Sequence, residues 1–196
     1  MRRPSPQVAG LLLAAGAGRR FGMPKALVEH RGSLLVESAA RVLADGGCAP
    51  VYVVVGAAAD EVQAKADLGD ARVVVNDDWP TGMGSSLRRG LEAVTKQVDT
   101  VVDAVVILPV DTPGVTAAAV RRVAGFATPR ALAAASYDGV RGHPVLIGRD
   151  HWPGVRETAV GDRGARDYLK AHTVAEVPCE DIAVGTDADR PEDLPT

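Results

Sequence analysis

The amino-acid sequence predicts an α/β fold: a single domain built on an open, mostly parallel twisted sheet with helices on both faces. Three continuous apolar runs, Val8–Leu13, Val51–Val55 and Ala104–Leu108, are typical of strands that are covered on both sides. Segments with helical caps and spacing alternate with these runs, which is the order of elements that produces a parallel sheet. At 196 residues the chain can bury one substantial core, and no linker, repeat or low-complexity segment divides it.

Capping residues and turn formers define the remaining elements. Ser33 is a candidate N-cap for a helix that runs to about Asp45 and ends at Gly46-Gly47, and Ser85 for a helix that runs to about Val98. The other expected helices are Asp60–Ala66, Thr116–Gly125 and Ala165–Ala171. The other expected strands are Arg72–Val75, Ala131–Ser136, Pro144–Ile147, Thr173–Val177 and Ile182–Thr186. The second and third of these strands would form a hairpin-like excursion over the end of the sheet.

Composition excludes several classes of function. A formal net charge of -3 provides no general basic surface, so nucleic-acid binding is not expected. Cys48 and Cys179 are far apart and lie in no Cys or His cluster, which argues against a zinc site or a disulfide framework. No run reaches the roughly 18 apolar residues of a membrane helix, so no membrane partner is expected.

The first residues imitate an export signal without its full pattern. Arg2-Arg3 precedes the apolar run Val8–Ala15, but this run is at the short limit of about 7–15 residues, and three cations follow it at once. Cleavage after this run would also remove the first strand of the fold. We therefore expect a flexible tail over residues 1–7, a core strand after it, and a cytoplasmic protein.

The stretch Ala14–Lys25 has the composition of a phosphate-binding loop. Gly16 and Gly18 permit close backbone approach, so that successive amides can face an anion. Arg20 offers a planar fork to phosphate oxygens, and Lys25 offers a mobile point charge. The loop lacks the third glycine of the dinucleotide fingerprint and the GK[ST] ending of a Walker loop. A tight strand-to-helix turn is the alternative, but three cations within seven residues favour phosphate binding.

Two further loops begin where predicted strands end, at the edge of a parallel sheet where ligands bind. Asn76–Ser86 is rich in glycine and ends in Ser85-Ser86 at a helix start, where free amides favour anions. Pro109–Pro113 presents Asp111, a hard oxygen ligand suited to Mg²⁺ beside triphosphate oxygens. Each loop has a structural alternative: a glycine turn with an N-cap for the first, and an Asp turn or helix cap for the second.

Six motifs along the chain carry a family resemblance. They are LAAGAGRRFGMPK at 13–25, GMGSSL at 82–87, DTP at 111–113, GHP at 142–144, GDRGAR at 161–166 and DADRPED at 187–193. The first resembles the signature of nucleotidyltransferases that join an NTP to a phosphorylated acceptor and release pyrophosphate. Together they resemble the MobA-like NTP transferases, in particular the molybdenum cofactor cytidylyltransferases, whose fold is Rossmann-like and of the nucleotide-diphospho-sugar transferase type.

The resemblance implies functional roles. Arg20, Lys25 and Asp111 would be catalytic, and Mg²⁺, or Mn²⁺ in its place, would be held by Asp111 with Asp189. The implied nucleotide-binding residues are Leu13, Ala14, Ala15, Gly16, Ala17, Gly18, Arg19, Gly82, Met83, Gly84, Ser85 and Ser86. Gly56 and Asn76, at the ends of other strands, are candidates for the same pocket. We expect an acceptor side formed by His143, Pro144, Gly161, Asp162 and Arg163.

The expected reaction is the transfer of CMP from CTP to the terminal phosphate of molybdopterin or the molybdenum cofactor. No general base is required, because the acceptor phosphate is already ionised near neutral pH. The resemblance favours CTP over GTP through Ala15, where guanylyl-transferring relatives usually have glycine, although one pocket group is worth only about 1–3 kcal/mol.

Two alternatives remain open, because LPVDTP at 108–113 departs from the form usual in cytidylyl relatives and leaves the acceptor undecided. One is an NTP transferase for another phosphorylated acceptor: guanylyl transfer to molybdopterin, or transfer to a sugar or polyol phosphate. The other is a non-catalytic protein that delivers molybdenum cofactor to a molybdoenzyme or its maturation chaperone.

Overall fold

The computed structural model describes residues 5–96 and 101–196. The strands are β1 (Val8–Ala14), β2 (Glu29–His30), β3 (Ser33–Leu34), β4 (Val51–Val55), β5 (Arg72–Val75), β6 (Ala104–Pro109), β7 (Leu132–Tyr137), β8 (Val140–Gly148) and β9 (Ala175–Pro178). The helices are α1 (Leu35–Asp45), α2 (Ala59–Lys65), α3 (Met83–Thr95), α4 (Ala117–Ala124), α5 (Trp152–Thr158) and α6 (Arg166–Lys170). Short 3-10 turns cover Lys25–Leu27, Trp79–Thr81, Arg149–His151, Gly161–Arg163 and Pro191–Asp193.

Seven of the strands form one open sheet in the order β5-β4-β1-β6-β8-β7-β9. The pairs β5/β4, β4/β1, β1/β6 and β7/β9 are parallel, whereas β8 runs antiparallel to both β6 and β7. Strands β1, β4 and β6 are buried along their whole length, as continuous apolar runs in parallel sheets are. The predicted α/β class with a mostly parallel sheet is confirmed.

Alternation along β1 divides the core between the two faces of the sheet. Leu12 and Ala14 pack with the buried side of α1 and α4, and Leu11 and Leu13 pack with α3, α5 and α6. Each face therefore has its own apolar cluster. None of the helices in the described ranges is long and apolar enough to span a membrane.

The ends of the parallel strands meet along one edge of the sheet. Ala14 pairs with Val55, Val55 pairs with Val75, and Leu13 pairs with Pro109. The loops that follow β1, β4, β5 and β6 consequently open at the same edge. Because β8 is antiparallel, its beginning rather than its end lies there.

Both predicted N-caps are wrong. Ser33 belongs to β3, and the helix begins only at Leu35, because the Glu37 carboxylate accepts a hydrogen bond from the Leu34 amide at 2.9 Å. Helix α3 begins at Met83, two residues before Ser85, and is preceded by Gly82 at φ 111°. The expected end of this helix at Val98 lies outside the described residues. Within them, α3 ends at Thr95.

Three further expectations differ from the structure. The β7–β8 hairpin is inserted in the sheet between β6 and β9 rather than crossing its end, because β8 pairs with β6 over Ala104–Ile107. Residues 182–186 form no strand, since the Val184 amide bonds to the Gly114 carbonyl of a loop. Helix α5 was not predicted, because its sequence carries Pro153 and Gly154, although proline is tolerated in a first helical turn.

Candidate active site

The first loop, Ala15–Lys25, leaves β1 with exposed backbone amides. Within residues 5–96 and 101–196, the amides of Gly16, Ala17 and Gly18 donate no hydrogen bond. A Cβ at Gly16 would meet nothing within 4 Å, so the space beside it is open. Gly18 has φ 62°, and a Cβ there would lie 1.8 Å from the Met23 carbonyl oxygen. The turn therefore requires glycine at position 18, while Gly16 faces free space.

Four charged side chains from three separate parts of the chain meet at the end of this loop. The Lys25 Nζ lies 3.0 Å from Asp111 Oδ2 and 2.9 Å from Asp189 Oδ1. Arg20 Nη1 lies 2.8 Å from Asp189 Oδ2, with 77% of its side chain exposed against 13% for Lys25. Lys25 is thus held between two carboxylates, and Arg20 remains mostly in solvent.

The backbone holds these groups in place. Asp111 follows β6, and the Val110 amide donates to the Leu13 carbonyl at 3.0 Å, which joins this segment to β1. The Ala188 amide donates to the Asp111 carbonyl at 2.7 Å, which brings the late segment containing Asp189 across the sheet edge. The Asp193 carboxylate accepts from the Asp189 and Arg190 amides. Asp189 therefore reaches the site on an irregular but hydrogen-bonded segment.

Electrostatic coupling within the cluster is visible in its pKa values. Burial alone would lower the pKa of Lys25, but hydrogen bonds to Asp189 and Asp111 outweigh it and raise that pKa. The hydrogen bond from Lys25 lowers the pKa of Asp189. Burial, with the charges of Asp111 and Asp189, raises the pKa of Asp187. The neighbourhood therefore holds more negative charge than Lys25 balances.

This donor set fits a hard divalent cation that is shared with a nucleotide. No three His, Cys, Asp or Glu side chains in the described ranges converge into a ready-made metal centre. Magnesium is commonly held by one or two carboxylates, with water and substrate phosphates completing its shell. Asp111 and Asp189 are two such carboxylates on either side of one ammonium group.

The second loop, Asn76–Ser86, is closed by its own hydrogen bonds. The Asn76 side-chain amide, 3% exposed, donates to Ser85 Oγ at 2.9 Å and to Ser86 Oγ at 3.0 Å. Ser85 Oγ also lies within hydrogen-bonding distance of the Asp78 and Gly82 carbonyls, and both serines are 4% exposed. These polar groups are satisfied inside the protein.

Glycines around the second loop allow close packing. A Cβ at Gly84 would lie 2.6 Å from the Ala159 carbonyl oxygen, and one at Gly82 would lie 2.5 Å from the Gly161 carbonyl carbon. A Cβ at Gly56 would lie 2.6 Å from the Trp79 Cβ and 2.8 Å from the Ala15 carbonyl oxygen. Close packing rather than an open groove accounts for glycine at these three positions, against backbone at Gly82 and Gly84 and against both Trp79 and backbone at Gly56.

A cleft of about 820 Å³ opens beside the cluster, between β6, β8 and α6. Its apolar walls include Leu13, Ile107 and Val145, and Asp111 also lines it. Removal from solvent is the main reason that the pKa of His143, on the wall, falls to about 4. His143 is therefore neutral at pH 7.

The structure brings some of the predicted residues together and separates others. Arg20, Lys25, Asp111 and Asp189 form the ionic cluster. Met83, His143, Asp162 and Arg163 line the cleft together with Leu13. Ala14 and Ala15 are buried in the core, so the Ala15 methyl lies beneath the loop, and Pro144 is also buried. Gly16, Ala17, Gly18 and Arg19 form the open part of the first loop, and Gly161 packs against Gly82.

Sequence reasoning did not include three basic residues of the cleft among the site residues. They are Arg141, Arg166 and Lys170. Arg166 and Lys170 are four residues apart on α6 and flank the buried Leu169, a spacing that places two cations on the same side of a helix. That four-residue spacing is the sequence signal that could have identified Arg166 and Lys170 as a pair.

Comparisons with known proteins agree with this geometry. A model of the MobA-like NTP transferase domain matches residues 10–177. The chain is 40% identical over 199 residues to nicotine blue oxidoreductase of Paenarthrobacter nicotinovorans, over 96% of this chain and 95% of that protein. It superposes on the crystal structure of Rv0371c from Mycobacterium tuberculosis H37Rv with a TM-score of 0.81 and 28% identity, over 97% of this chain and 96% of that one.

A structure of Rv0371C in complex with manganese also matches, with a TM-score of 0.73 and 26% identity over 97% of this chain and 94% of that one. The loops that carry the ionic cluster lie at the edge of a sheet of nucleotidyltransferase type. Because the family model matches most of the chain, this chain belongs to the MobA-like NTP transferase family.

Proposed function

We propose that this nucleotidyltransferase of the MobA-like family transfers CMP from CTP to the phosphate of molybdopterin or the molybdenum cofactor and releases pyrophosphate. The observation that supports it best is the ionic cluster, in which Lys25 lies between Asp111 and Asp189 at the mouth of an open glycine loop. The family supplies an NTP and a phosphorylated acceptor as the general substrates. The choice of CTP as the nucleotide, and of molybdopterin or the molybdenum cofactor as the acceptor, rests on the sequence motifs.

In this proposal each part of the site has a task. The free amides at Gly16–Gly18 receive triphosphate oxygens, and Arg20 and Lys25 neutralise the β- and γ-phosphates. An oxygen of the acceptor phosphate attacks the α-phosphorus; the new P–O bond forms as the bond to the β-phosphate oxygen breaks and pyrophosphate leaves. Positioning and charge neutralisation dominate such a step. His143, neutral at pH 7, adds no charge to the acceptor side.

A divalent cation completes this assignment. Asp111 and Asp189 are the side chains that would hold Mg²⁺ or Mn²⁺, which supplies positive charge to the phosphates. The manganese complex of a relative at 26% identity supports this role. Lys25 contacts both carboxylates, and its hydrogen bond, with Arg20 in addition, lowers the pKa of Asp189.

The choice of base depends on the loop backbone rather than on the Ala15 methyl. That methyl is buried, but the Ala15 carbonyl accepts a hydrogen bond from the Ala57 amide at 3.0 Å and would lie 2.8 Å from a Cβ at Gly56. A residue at position 15 therefore influences the base through the path of the loop.

Pyrophosphate release tests the proposal directly. We expect release from CTP with Mg²⁺ only when molybdopterin is present, and little from GTP, ATP or UTP. A thermal-shift panel of the four nucleotides checks binding, since a ligand at 100 times its Kd stabilises by about 2.7 kcal/mol. Release driven by a sugar phosphate, or a clear preference for GTP, would contradict the assignment.

The relative that is 40% identical and named nicotine blue oxidoreductase favours a second candidate. In this alternative, the open loop binds the phosphates of a reduced nicotinamide dinucleotide, and a conjugated aromatic compound in the cleft accepts a hydride. Loss of absorbance of NADH or NADPH at 340 nm with nicotine blue as acceptor would support it. Absence of this reaction, together with CTP-dependent pyrophosphate release, would exclude it.

A further inference from the structure

The wall of the cleft formed by α6 carries two basic side chains that have no carboxylate within 4 Å among the described residues. Arg166 and Lys170 both line the cleft and lie one helical turn apart. Across residues 5–96 and 101–196, neither forms an ion pair or a hydrogen bond. Like charges at this spacing repel each other on a helix. An anion between them would remove that repulsion.

Other basic residues at the same cleft do have acidic partners. Arg141 lies 3.4 Å from Glu176, and Arg163 lies 3.1 Å from Asp167. Asp187 also lines the cleft, and the charge of Arg166 opposes the rise that burial causes in the pKa of that carboxyl group. No carboxylate in the described ranges, however, forms an ion pair with either cation on α6 within 4 Å.

Acidic, basic and apolar side chains all line the cleft. Asp111 and Asp187 supply negative charge, Arg166 and Lys170 of α6 supply positive charge, and Ile107 is among the apolar side chains.

A ligand that fits this arrangement has an apolar body and charges at two places. One phosphate must lie beside Asp111, because the transferred nucleotide is there. The cations on α6 can receive a second anionic group, since guanidinium and ammonium groups bind carboxylates and phosphates with charge-assisted hydrogen bonds.

We propose that Arg166 and Lys170 form an anion subsite for the acceptor, which carries a second anionic group in addition to the phosphate that receives the nucleotide. This inference rests on the proposed function, because the acceptor is defined by it. The two residues select among phosphorylated acceptors by their second charge. They take no part in the bond-making step.

Fluorescence anisotropy with two probes tests the subsite. Pterin-6-carboxylate and uncharged pterin have the same ring system and differ by one anionic group. We expect the wild-type protein to bind the carboxylate at least about ten-fold more tightly than pterin, as one charge-assisted contact allows. The double variant Arg166→Gln/Lys170→Gln should reduce this ratio to nearly one, without changing the affinity for pterin.

Two control variants test whether the preference for pterin-6-carboxylate depends on the charges of Arg166 and Lys170. Arg156→Gln removes an exposed cation of α5 that lies outside the cleft, and it should leave the ratio unchanged. The charge-preserving exchange Arg166→Lys/Lys170→Arg should restore most of the preference. Melting curves of all variants check the fold, which glutamine at exposed positions should preserve.

Several results would overturn the subsite. They are equal binding of both probes by the wild type, no binding of either, or a preference lost in Arg20→Gln but kept in the double variant. The CTP thermal shift separates this outcome from failure of the proposed function. Carboxylate preference without CTP binding would reject the transferase proposal alone, and CTP binding without the preference would reject the subsite alone.

Discussion

Two glycine-rich loops lie at the same edge of the sheet, and they use glycine for opposite purposes. In Ala15–Lys25, Gly16 faces open space and neighbouring amides are free for a ligand. In Asn76–Ser86, Gly84 presses against the Ala159 backbone, and buried side chains satisfy one another. The two sequences are both rich in glycine, but the first loop leaves its amides open, as the proposed phosphate binding requires, whereas the second packs α3 against its neighbours.

The largest expected effect belongs to the ionic cluster beside the first loop. Lys25→Met keeps the length of the side chain but removes the charge that lies 3.0 Å from Asp111 and 2.9 Å from Asp189. Pyrophosphate release should fall by at least about 100-fold, as loss of a preorganised charge contact typically produces. Lys65→Met, which removes an exposed cation paired with Glu61, is the control. If Lys25→Met retained half of the activity, Lys25 would have no essential role in the reaction.

The second-largest expected effect is on the free energy of unfolding, which an added methyl group should change differently in the two loops. Gly84→Ala places a methyl 2.6 Å from a backbone carbonyl, so the free energy of unfolding should fall by about 1–3 kcal/mol despite the better helix propensity of alanine. Gly16→Ala, with no atom within 4 Å, should change it by less than about 0.5 kcal/mol. Urea titration measures both. Equal losses in the two variants would contradict the distinction between the loops.

The buried network of the second loop can be removed without touching a glycine. Asn76→Ala deletes the donor to Ser85 and Ser86 and leaves the Ser86 hydroxyl in a buried site. The expected loss of stability is about 1–3 kcal/mol by urea denaturation. Asp77→Ala, at the exposed neighbouring position, should be nearly neutral. A neutral Asn76→Ala would show that the network is dispensable.

The smallest expected effect is a pH dependence from His143. Its folded-state pKa is about 4, below the unfolded value of 6.5, so the unfolded state binds more protons between these values. Stability is therefore fully present above pH 6.5 and is lost as pH falls towards 4. We expect the wild type to lose roughly 1–2 kcal/mol over this range relative to His143→Gln. If the free energies of unfolding of the wild type and of His143→Gln changed in parallel with pH, the lowered pKa of His143 would be contradicted.

The central sheet could be predicted from sequence because its signals are local. Val51–Val55 has the predicted bounds, and Val8–Leu13 and Ala104–Leu108 each differ from the observed strand by one residue. Because these strands are covered on both faces, an unbroken apolar run marks each of them along the sequence. The C-terminal Ile182–Thr186 carried a similar apolar signal but lacked a neighbouring edge with which to pair, and it bonds to a loop instead.

Only part of the candidate site could be predicted from local sequence signals. The meeting of Lys25 with Asp111 and Asp189 joins residues 86 and 164 positions apart, and no spacing rule expresses such a contact. It was expected only because the motifs resemble a family. Ser85 illustrates the reverse error: a serine at a helix start suggests a cap or an anion contact, whereas the structure uses its hydroxyl to close the loop.

The direction of β8 has a consequence for divergence within the family. Because this strand begins at the edge where the parallel strands end, the turn at Asp138-Gly139 and the residues Arg141–His143 after it stand beside the cleft. Turns of this kind accept insertions more readily than the strands they join. The lining of the cleft can therefore change by lengthening one hairpin, while the loops that follow β1 and β6 keep their positions.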